Sequence, residues 1–248
     1  MGQDASKPEG VTATTEPLIL RDFTLTQLQA FDGTRAENGN KVYIALKRDV
    51  FDVSSARDTF YGPGQSYFCF AGREASRCMA NFSIGDETDL AGGMDISDLG
   101  PFQLSQLDDW IQRFHMKGYP IVGRVSEPPS NIKFTREQLQ AYDGFNESTK
   151  IEGRVNLPIY IGFNGKVYDV SYGGVGFYGS KDSPYHIFAG KDATRGLSKM
   201  SLKPEDANSI DKSDFGENEY KTQTEWEVKF DKKYPIVGEI IEGETSSK

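Results

Sequence analysis

The sequence predicts an α+β fold built from two similar units in tandem, each a small sheet with surrounding helices. Segments of the first half return in the same order in the second half, and each half mixes short strand-like segments with helical ones. The returning pairs are FTLTQLQAFDG and FTREQLQAYDG, VYIALKRDVFDVS and IYIGFNGKVYDVS, FAGREASR and FAGKDATR, and GYPIVGRV and KYPIVGEI. A repeated unit of more than 100 residues indicates a duplicated domain rather than a solenoid of short repeats.

Each unit begins with a short helix that carries a capping signal. Thr24 and Thr135 stand at the N-cap, and Gln27 and Gln138 follow three residues later. A threonine and a glutamine at this spacing form a capping box, in which each side chain binds the backbone N–H of the other residue. The sequence therefore predicts a helix that begins directly after each threonine and ends near the following Asp-Gly pair.

A β-hairpin is predicted next in each unit, from VYIAL and VFDVS in the first and from IYIGF and VYDVS in the second. Asn164-Gly165 in the second hairpin is a type I′ turn signal, because both residue types accept positive φ. Arg48-Asp49 in the first hairpin is a poorer turn pair, so we expect a different turn geometry there.

The remainder of each unit is predicted to be mainly helical. A loop with two tyrosines follows the hairpin, and helices are expected to begin near Gly72 and Gly190. A late helix carries Trp110 in the first unit and Trp226 in the second. Each unit then ends on the strand-like segment Pro-Ile-Val-Gly.

The short connection between the repeats predicts that the two units lie side by side. The eight residues from Ser126 to Lys133 include two prolines and span at most about 27 Å when extended. Polar, charged termini of low hydrophobicity are typical of disorder. The predicted segments are a disordered 1–17, a first unit 18–125, a linker 126–131, a second unit 132–242 and a disordered tail 243–248.

Composition and charge exclude several classes of function. Hydrophobic residues make up 37% of the chain, and no stretch approaches the roughly 18 apolar residues of a membrane helix. A net charge of −9 and a pI of about 4.9 argue against a nucleic acid partner. The two cysteines and two histidines fall at unmatched positions of the repeat, which excludes a zinc site, bis-histidine haem ligation or serine–histidine catalysis common to both units.

Two tyrosines in each unit form the strongest candidate binding motif. Tyr61 and Tyr67 correspond to Tyr178 and Tyr185, and both pairs are kept although the loop between them changes from GPGQS to GSKDSP. A single tyrosine in such a setting is more often part of the core. Two tyrosines that are kept while the loop between them changes indicate two side chains that face one ligand.

The ordered motifs FT…L…(F/Y)DG, V(F/Y)DVS, FYG…Y…FAG, W…F and YPIVG resemble the cytochrome b5-like domain of the membrane-associated progesterone receptor family. The resemblance covers most of the chain, twice over. The chain lacks the His-Pro-Gly-Gly motif of true cytochrome b5, in agreement with its scarce histidines. The resemblance implies two tandem cytochrome b5-like domains with b-type haem, one or two haems per chain.

The resemblance also implies which residues bind haem. A tyrosine is the axial ligand of the iron in this family, and the matching positions are Tyr67 and Tyr185. The first unit has Gly118 where the second has a lysine, so we expect the second unit to hold haem more tightly. The residues that match haem contacts are Tyr61 and Tyr119 in the first unit and Tyr178, Lys233 and Tyr234 in the second.

Tyrosine ligation predicts haem binding and handover, or partner docking, rather than fast electron transfer, and no acid–base or nucleophile set that would indicate an enzyme repeats between the units. Ferric iron stabilises an anionic phenolate, whose parent phenol has an ordinary pKa near 10. One protein ligand leaves the iron five-coordinate with an exposed haem face, which is an apolar docking surface. We therefore expect haem handling or haem-dependent docking with partners such as cytochromes P450, and no enzyme. The alternatives are sterol or lipid binding, or a scaffold, in the same clefts without functional haem.

The N-terminus predicts a weak membrane contact. MGQDAS fits the myristoylation pattern with Gly2 as the acceptor, and members of the resembled family usually carry a membrane helix instead. One myristoyl chain gives only reversible attachment, and an acidic body is repelled by anionic lipid. We expect a cytoplasmic protein at the cytosolic face of a membrane.

Overall fold

The computed structural model describes residues 20–242 and contains two five-stranded sheets. The first unit has strands β1 (Arg21–Phe23), β2 (Tyr43–Leu46), β3 (Asp49–Asp52), β4 (Arg73–Glu74) and β5 (Ile121–Val125). The second has β6 (Ile132–Phe134), β7 (Tyr160–Phe163), β8 (Lys166–Asp169), β9 (Lys191–Asp192) and β10 (Ile236–Ile240). The orders β1-β5-β3-β2-β4 and β6-β10-β8-β7-β9 are the same arrangement twice. This confirms the prediction of two similar α+β units in tandem.

Four α-helices accompany each sheet. Those of the first unit are α1 (Leu25–Leu28), α2 (Ser76–Asn81), α3 (Glu87–Ala91) and α4 (Pro101–Met116). Those of the second are α5 (Arg136–Leu139), α6 (Ser171–Tyr178), α7 (Thr194–Ser198) and α8 (Glu217–Lys233). The late helices α4 and α8 carry Trp110 and Trp226, as predicted. Gly2 and the segments 1–17 and 243–248 lie outside the described residues.

Both predicted capping boxes are present. Thr24 Oγ1 accepts from the Gln27 N–H at 3.0 Å, and the Gln27 side chain accepts from the Thr24 N–H at 3.2 Å. The same pair of hydrogen bonds joins Thr135 and Gln138 at 3.3 and 2.9 Å. The two reciprocal bonds satisfy backbone donors that a helix N-terminus would otherwise leave free.

The predicted turn of the first hairpin is wrong in position and in geometry. The turn residues are Lys47 and Arg48, with φ of 48° and 73°, which matches the 50° and 83° of Asn164 and Gly165. Nearby side chains hold the first turn in this conformation. The Lys47 N–H donates to Ser76 Oγ at 2.7 Å, and the Arg48 N–H donates to a carboxylate oxygen of the buried Glu74 at 2.9 Å.

Two further elements differ from the sequence prediction. The segments after Gly72 and Gly190 are the short strands β4 and β9 rather than helices. The helices α2 and α7 begin only at Ser76 and Thr194. The strands β1 and β6, which pair in parallel with β5 and β10, were not predicted because three residues give no usable periodicity.

The core of each unit lies on both faces of its sheet. In β2, Ile44 and Leu46 pack with one group of apolar residues, whereas Tyr43 and Ala45 pack with another on the opposite face. Successive side chains of a strand point to opposite faces, so a sheet covered on both sides reads as continuously apolar. This explains the run Val-Tyr-Ile-Ala-Leu.

The two units meet at a buried carboxylate. Asp22 of β1 is 0% exposed, and it accepts hydrogen bonds from the backbone N–H groups of Val155 and Asn156, both at 3.1 Å. Arg154 Nε lies 3.7 Å from the same carboxylate, and Arg154 Nη1 donates to Asp169 at 2.7 Å. A charge buried this deeply is stable only with such partners, so it fixes one unit against the other.

Two uncharged side chains extend this interface. Tyr172 at the start of α6 is fully buried, and its hydroxyl lies 2.9 Å from Oγ of Ser126, the linker residue that directly follows β5. The amide of Gln27 donates to the backbone carbonyls of Tyr172 at 3.0 Å and Lys233 at 2.9 Å. The same glutamine therefore caps α1 and binds the second unit, and the predicted proximity of the units is confirmed.

We predict that Asp22→Ala lowers the free energy of unfolding by about 3–5 kcal/mol, because Arg154 and two backbone donors lose a buried partner. Urea denaturation monitored by tryptophan fluorescence measures the change. Lys133→Ala is the control, since Lys133 has the same register in the second unit but is exposed. The control should change stability by less than about 0.5 kcal/mol. Equal effects of both substitutions would contradict the prediction.

Candidate functional site

A cavity of about 800 Å³ lies where the second unit faces the first. Its volume falls within the range typical of ligand pockets, roughly 300–1,000 Å³. All four second-unit residues that the sequence singled out line this one cavity: Tyr178, Tyr185, Lys233 and Tyr234. Residues that are far apart in the chain therefore converge as the resemblance implied.

Three elements position these side chains. Tyr178 is the last residue of α6, Tyr185 lies in a 3₁₀ turn from Pro184 to Phe188, and Lys233 and Tyr234 stand at the end of α8. The ring centroid of Tyr178 lies 6.3 Å from that of Tyr185 and 6.3 Å from that of Tyr234. Tyr178 is thus the central residue of the aromatic group.

His186 contributes by holding the tyrosine loop rather than by facing the cavity. Its Nδ1 donates to the backbone carbonyl of Tyr178 at 2.7 Å, which fixes the 3₁₀ turn against the end of α6. Its ring packs edge-on against Phe145 at 5.3 Å. A second bond across the same loop joins the Ser183 hydroxyl to the carbonyl of Phe177.

Burial separates the roles of the two tyrosines. Tyr178 is only 4% exposed, and burial, with smaller contributions from Tyr234 and Tyr185, raises its pKa well above the ordinary value. Its phenol therefore keeps its proton at neutral pH. Tyr185 is half-buried at the cavity wall, where its hydroxyl can meet a ligand.

Gly174 lets α6 approach the site closely. A Cβ at this position would lie 3.0 Å from Tyr234 Oη and 3.1 Å from Tyr178 Cδ2. The first unit has Arg57 at the corresponding position, and its guanidinium instead donates to the carbonyl of Gly33 at 3.2 and 3.1 Å. The lack of a side chain at Gly174 therefore distinguishes the second site from the first.

The three tyrosines predicted for the first unit also come together. The Tyr61 ring centroid lies 6.1 Å from that of Tyr67 and 6.2 Å from that of Tyr119. Burial, followed by Tyr119 and Tyr67, raises the pKa of Tyr61, so this phenol is kept neutral like that of Tyr178. Trp110 closes the group from α4, 6.4 Å from Tyr67.

The missing lysine of the first unit has a structural cause. Helix α4 ends at Met116, two positions earlier in the repeat than α8 does, and Gly118 follows in the left-handed conformation with φ of 71°. The N–H of Gly118 donates to the carbonyl of His115 at 2.9 Å and that of Tyr119 to Phe114 at 3.2 Å. These bonds form a Schellman motif, which favours glycine and so displaces the lysine.

The first unit supplies the other wall of the cavity, which the sequence analysis did not foresee. Phe31 and Gln27 line it together with two cations, Arg21 and Arg35, and with Glu37. We expected an exposed haem face at the second site, but residues of the first unit border the cavity there. The register pairs Arg21 with Gly123 and Ile132 with Gly238, so Arg21 stands where the second unit has isoleucine. This difference between the repeats was the sequence signal that could have indicated a role for Arg21 in the cavity.

Two further structural features bear on the sequence predictions. Between residues 20 and 242 no helix is long and apolar enough to cross a membrane. Over the same residues, no cluster of three or more histidine, cysteine, aspartate or glutamate side chains could hold a metal ion.

Comparison with known proteins identifies similar sequences. The family described as "Cytochrome b5-like Heme/Steroid binding domain" matches residues 135–241. "Probable steroid-binding protein 3" of Arabidopsis thaliana is 44% identical over 110 residues, which are 44% of this chain and 99% of that protein. "Membrane-associated progesterone receptor component 2" of Homo sapiens is 36% identical over 129 residues, 52% of this chain and 56% of that protein.

A solved chain from Arabidopsis thaliana, described as having a cytochrome b5 like fold, is 41% identical with a TM-score of 0.37. It covers 45% of this chain and 93% of that chain. This chain spans about half the length of the Arabidopsis and human relatives whose names include "membrane". The family match lies in the second unit and the first unit repeats its strand order, which confirms the predicted pair of cytochrome b5-like domains.

We predict that alanine has opposite effects at two glycines of α6. Gly176→Ala adds a Cβ with nothing within 4 Å, so it should stabilise the helix by about 0.5–1 kcal/mol. Gly174→Ala forces Tyr234 and Tyr178 to move, which should cancel this gain and cost about 1–3 kcal/mol. Thermal unfolding of the two variants measures the difference. The predicted packing would be refuted by a Gly174→Ala protein as stable as the Gly176→Ala protein.

Proposed function

Because the chain belongs to the membrane-associated progesterone receptor family of cytochrome b5-like haem/steroid-binding proteins, we propose that its second unit binds b-type haem with Tyr185 as axial ligand. The observation that supports this is the convergence of Tyr178, Tyr185, Lys233 and Tyr234 on one cavity. The residues fit such a ligand, because the lining of the cavity combines aromatic and basic side chains.

Each residue has a distinct part in this proposal. Ferric haem would supply a metal that binds phenolate oxygen, and Tyr185 offers that oxygen from a half-buried position. Tyr178 is buried and neutral, so it forms the wall beside the ligand and is not a competing phenolate. The ammonium of Lys233 lies 5.0 Å above the ring centroids of Phe177 and Tyr234, where it can meet an anionic ligand.

The first unit is proposed as a weaker second haem site, with Tyr67 as ligand and Tyr61 and Tyr119 as walls. It has the tyrosine group but not the lysine at position 118, and Arg57 stands where the second unit has the closely packed Gly174. The order of affinity proposed from the sequence therefore also has a physical basis.

We assign the protein a binding role, in haem handling or in haem-dependent docking with haem proteins such as cytochromes P450. The relatives carry the names of binding proteins and receptor components. Because first-unit residues border the second cavity, holding and transfer of haem suit that site better than docking through an exposed haem face. Reversible attachment to the cytosolic face of a membrane through Gly2 belongs to the same proposal.

Sterol binding in the same cavity is the second candidate. The name of the Arabidopsis relative supports it, as do the aromatic walls of the cavity. A sterol needs no tyrosine oxygen as a metal ligand, so the two candidates differ in how they depend on Tyr185. A protein that binds a fluorescent sterol but shows no Soret band with added hemin would favour the sterol.

We predict that Tyr185→Phe weakens hemin binding at least tenfold, or about 1.4 kcal/mol, and removes the charge-transfer band of ferric phenolate. Tyr178→Phe should keep the band, because that residue is a wall. Tyr67→Phe should reduce only the absorbance change of the weaker binding phase, which belongs to the first unit. Absorbance titration with hemin measures all three.

Tyr220→Phe is the matched control for this titration, because Tyr220 is a half-exposed tyrosine of α8 that does not line the cavity. Its spectrum and affinity should equal those of the wild type. An unchanged phenolate band in the Tyr185→Phe protein would exclude Tyr185 as the ligand.

A further inference from the structure

Arg21 of the first unit extends into the space between the units. Its guanidinium carbon lies 4.1 Å from the ring centroid of Phe23 and 5.7 Å from that of Phe31. On the second-unit side it lies against Gly173, where an added Cβ would be 3.2 Å from Arg21 Nη2. Gly173 has a φ of 95°, so the backbone of α6 is kinked at the point of contact. Arg21 thus lines the same cavity as the tyrosines of the second unit.

This guanidinium has no counter-charge within residues 20–242. No carboxylate in that part of the chain lies within ion-pair distance, and its buried Nε has no hydrogen-bond partner. Burial lowers the pKa of Arg21, in spite of the opposing effect of Tyr43 and Tyr234. Arg154, the other arginine at the interface, is paired with both Asp22 and Asp169. Since burial of an unpaired charge is costly, Arg21 is prepared for an anion that comes from outside residues 20–242.

The cavity as a whole is basic although the protein is acidic. Five cationic residues line it against the single carboxylate of Glu37, whereas the net charge of the chain is −9. The five are Arg21, Arg35, Lys229, Lys232 and Lys233. A concentration of one sign of charge in a cleft favours a ligand of the other sign.

The apolar lining defines the rest of the ligand. Phe31 from the first unit and Phe177 and Trp226 from the second are aromatic lining residues, in addition to the tyrosines. Such walls suit a flat apolar body. A ligand with a flat body and carboxylate groups at its edge meets both requirements, and b-type haem, with its two propionates, is of this kind.

We propose that the first unit completes the haem site of the second, and that Arg21 binds a propionate carboxylate of the haem held by Tyr185. This inference rests on the proposed function. A guanidinium can donate two parallel hydrogen bonds to one carboxylate, which makes arginine the side chain best suited to this contact. The site is therefore composite, with the iron ligand from one unit and an anion-binding residue from the other.

Within residues 20–242 the composite site occurs once, because the contact is not reciprocal. In the second unit, Ile132 and Lys133 occupy the register positions that Arg21 and Asp22 occupy in the first. Isoleucine cannot bind a carboxylate, and lysine cannot replace the buried acid at the interface. The two units therefore have different parts in one site although they share one fold.

The test compares hemin with its dimethyl ester, which has the same iron and ring but no carboxylates. Wild type, Arg21→Gln and Lys133→Gln are titrated with each compound, and the Soret and phenolate bands are recorded. For Arg21→Gln, we expect at least tenfold weaker binding of hemin with an unchanged phenolate band, and binding of the ester equal to that of the wild type. Lys133→Gln removes an exposed cation outside the cavity and should alter neither affinity.

The outcomes separate this inference from the function on which it rests. If Arg21→Gln binds hemin with wild-type affinity, or if its affinities for hemin and for the ester fall by the same factor, Arg21 does not bind a propionate. The proposed haem site itself is not affected by that result. If the wild type shows no hemin spectrum that depends on Tyr185, both the proposed function and this inference fail. The near-UV circular dichroism spectrum of Arg21→Gln must match that of the wild type, which shows that the variant is folded. Arg21→Lys keeps the charge without the paired donors, so its affinity for hemin should fall between those of the wild type and Arg21→Gln.

Discussion

The relative placement of the two units depends on the buried carboxylate of Asp22. Two backbone N–H groups, an asparagine amide and a guanidinium surround it, and all of them come from the segment 154–156 of the second unit. A buried charge keeps its stability only while these partners stay in place, so the units cannot rotate against each other without a large cost. The cavity is formed by both units, and its shape therefore depends on this contact.

The two units show how one fold can give two different sites. Their sheets and capping boxes are alike, yet α8 continues two positions further than α4 before the closing strand. This places Lys233 at the second site, whereas the Schellman motif places Gly118 at the first. Helix α6 has Gly174 where the first unit has Arg57, and the lack of a side chain at Gly174 lets Tyr234 pack closely against the helix. Small local differences in helix ending and side-chain size thus distinguish sites built on the same strands.

The sequence predicted what depends on local or repeated signals. The capping boxes, the second hairpin turn and the tryptophan helices follow from neighbouring residues, and the tyrosine pairs emerged because the repeat allowed one half to be compared with the other. The first hairpin turn could not be predicted, because Glu74 and Ser76 hold Lys47 and Arg48 from more than 25 residues away. The interface was also beyond prediction, since Asp22 and Arg154 have no repeated counterparts and only folding brings them together.

The contact between segment 154–156 and β1 has a consequence for association with other chains. Strand β1 lies at the edge of the first sheet, and an unprotected edge is a template on which a foreign strand can pair. The Asn156 side-chain amide donates to the carbonyl of Leu20 at 3.1 Å, and Asp22 accepts from the backbone N–H groups of Val155 and Asn156. The second unit thereby covers this edge, so the interface that shapes the cavity also protects the first sheet from aggregation.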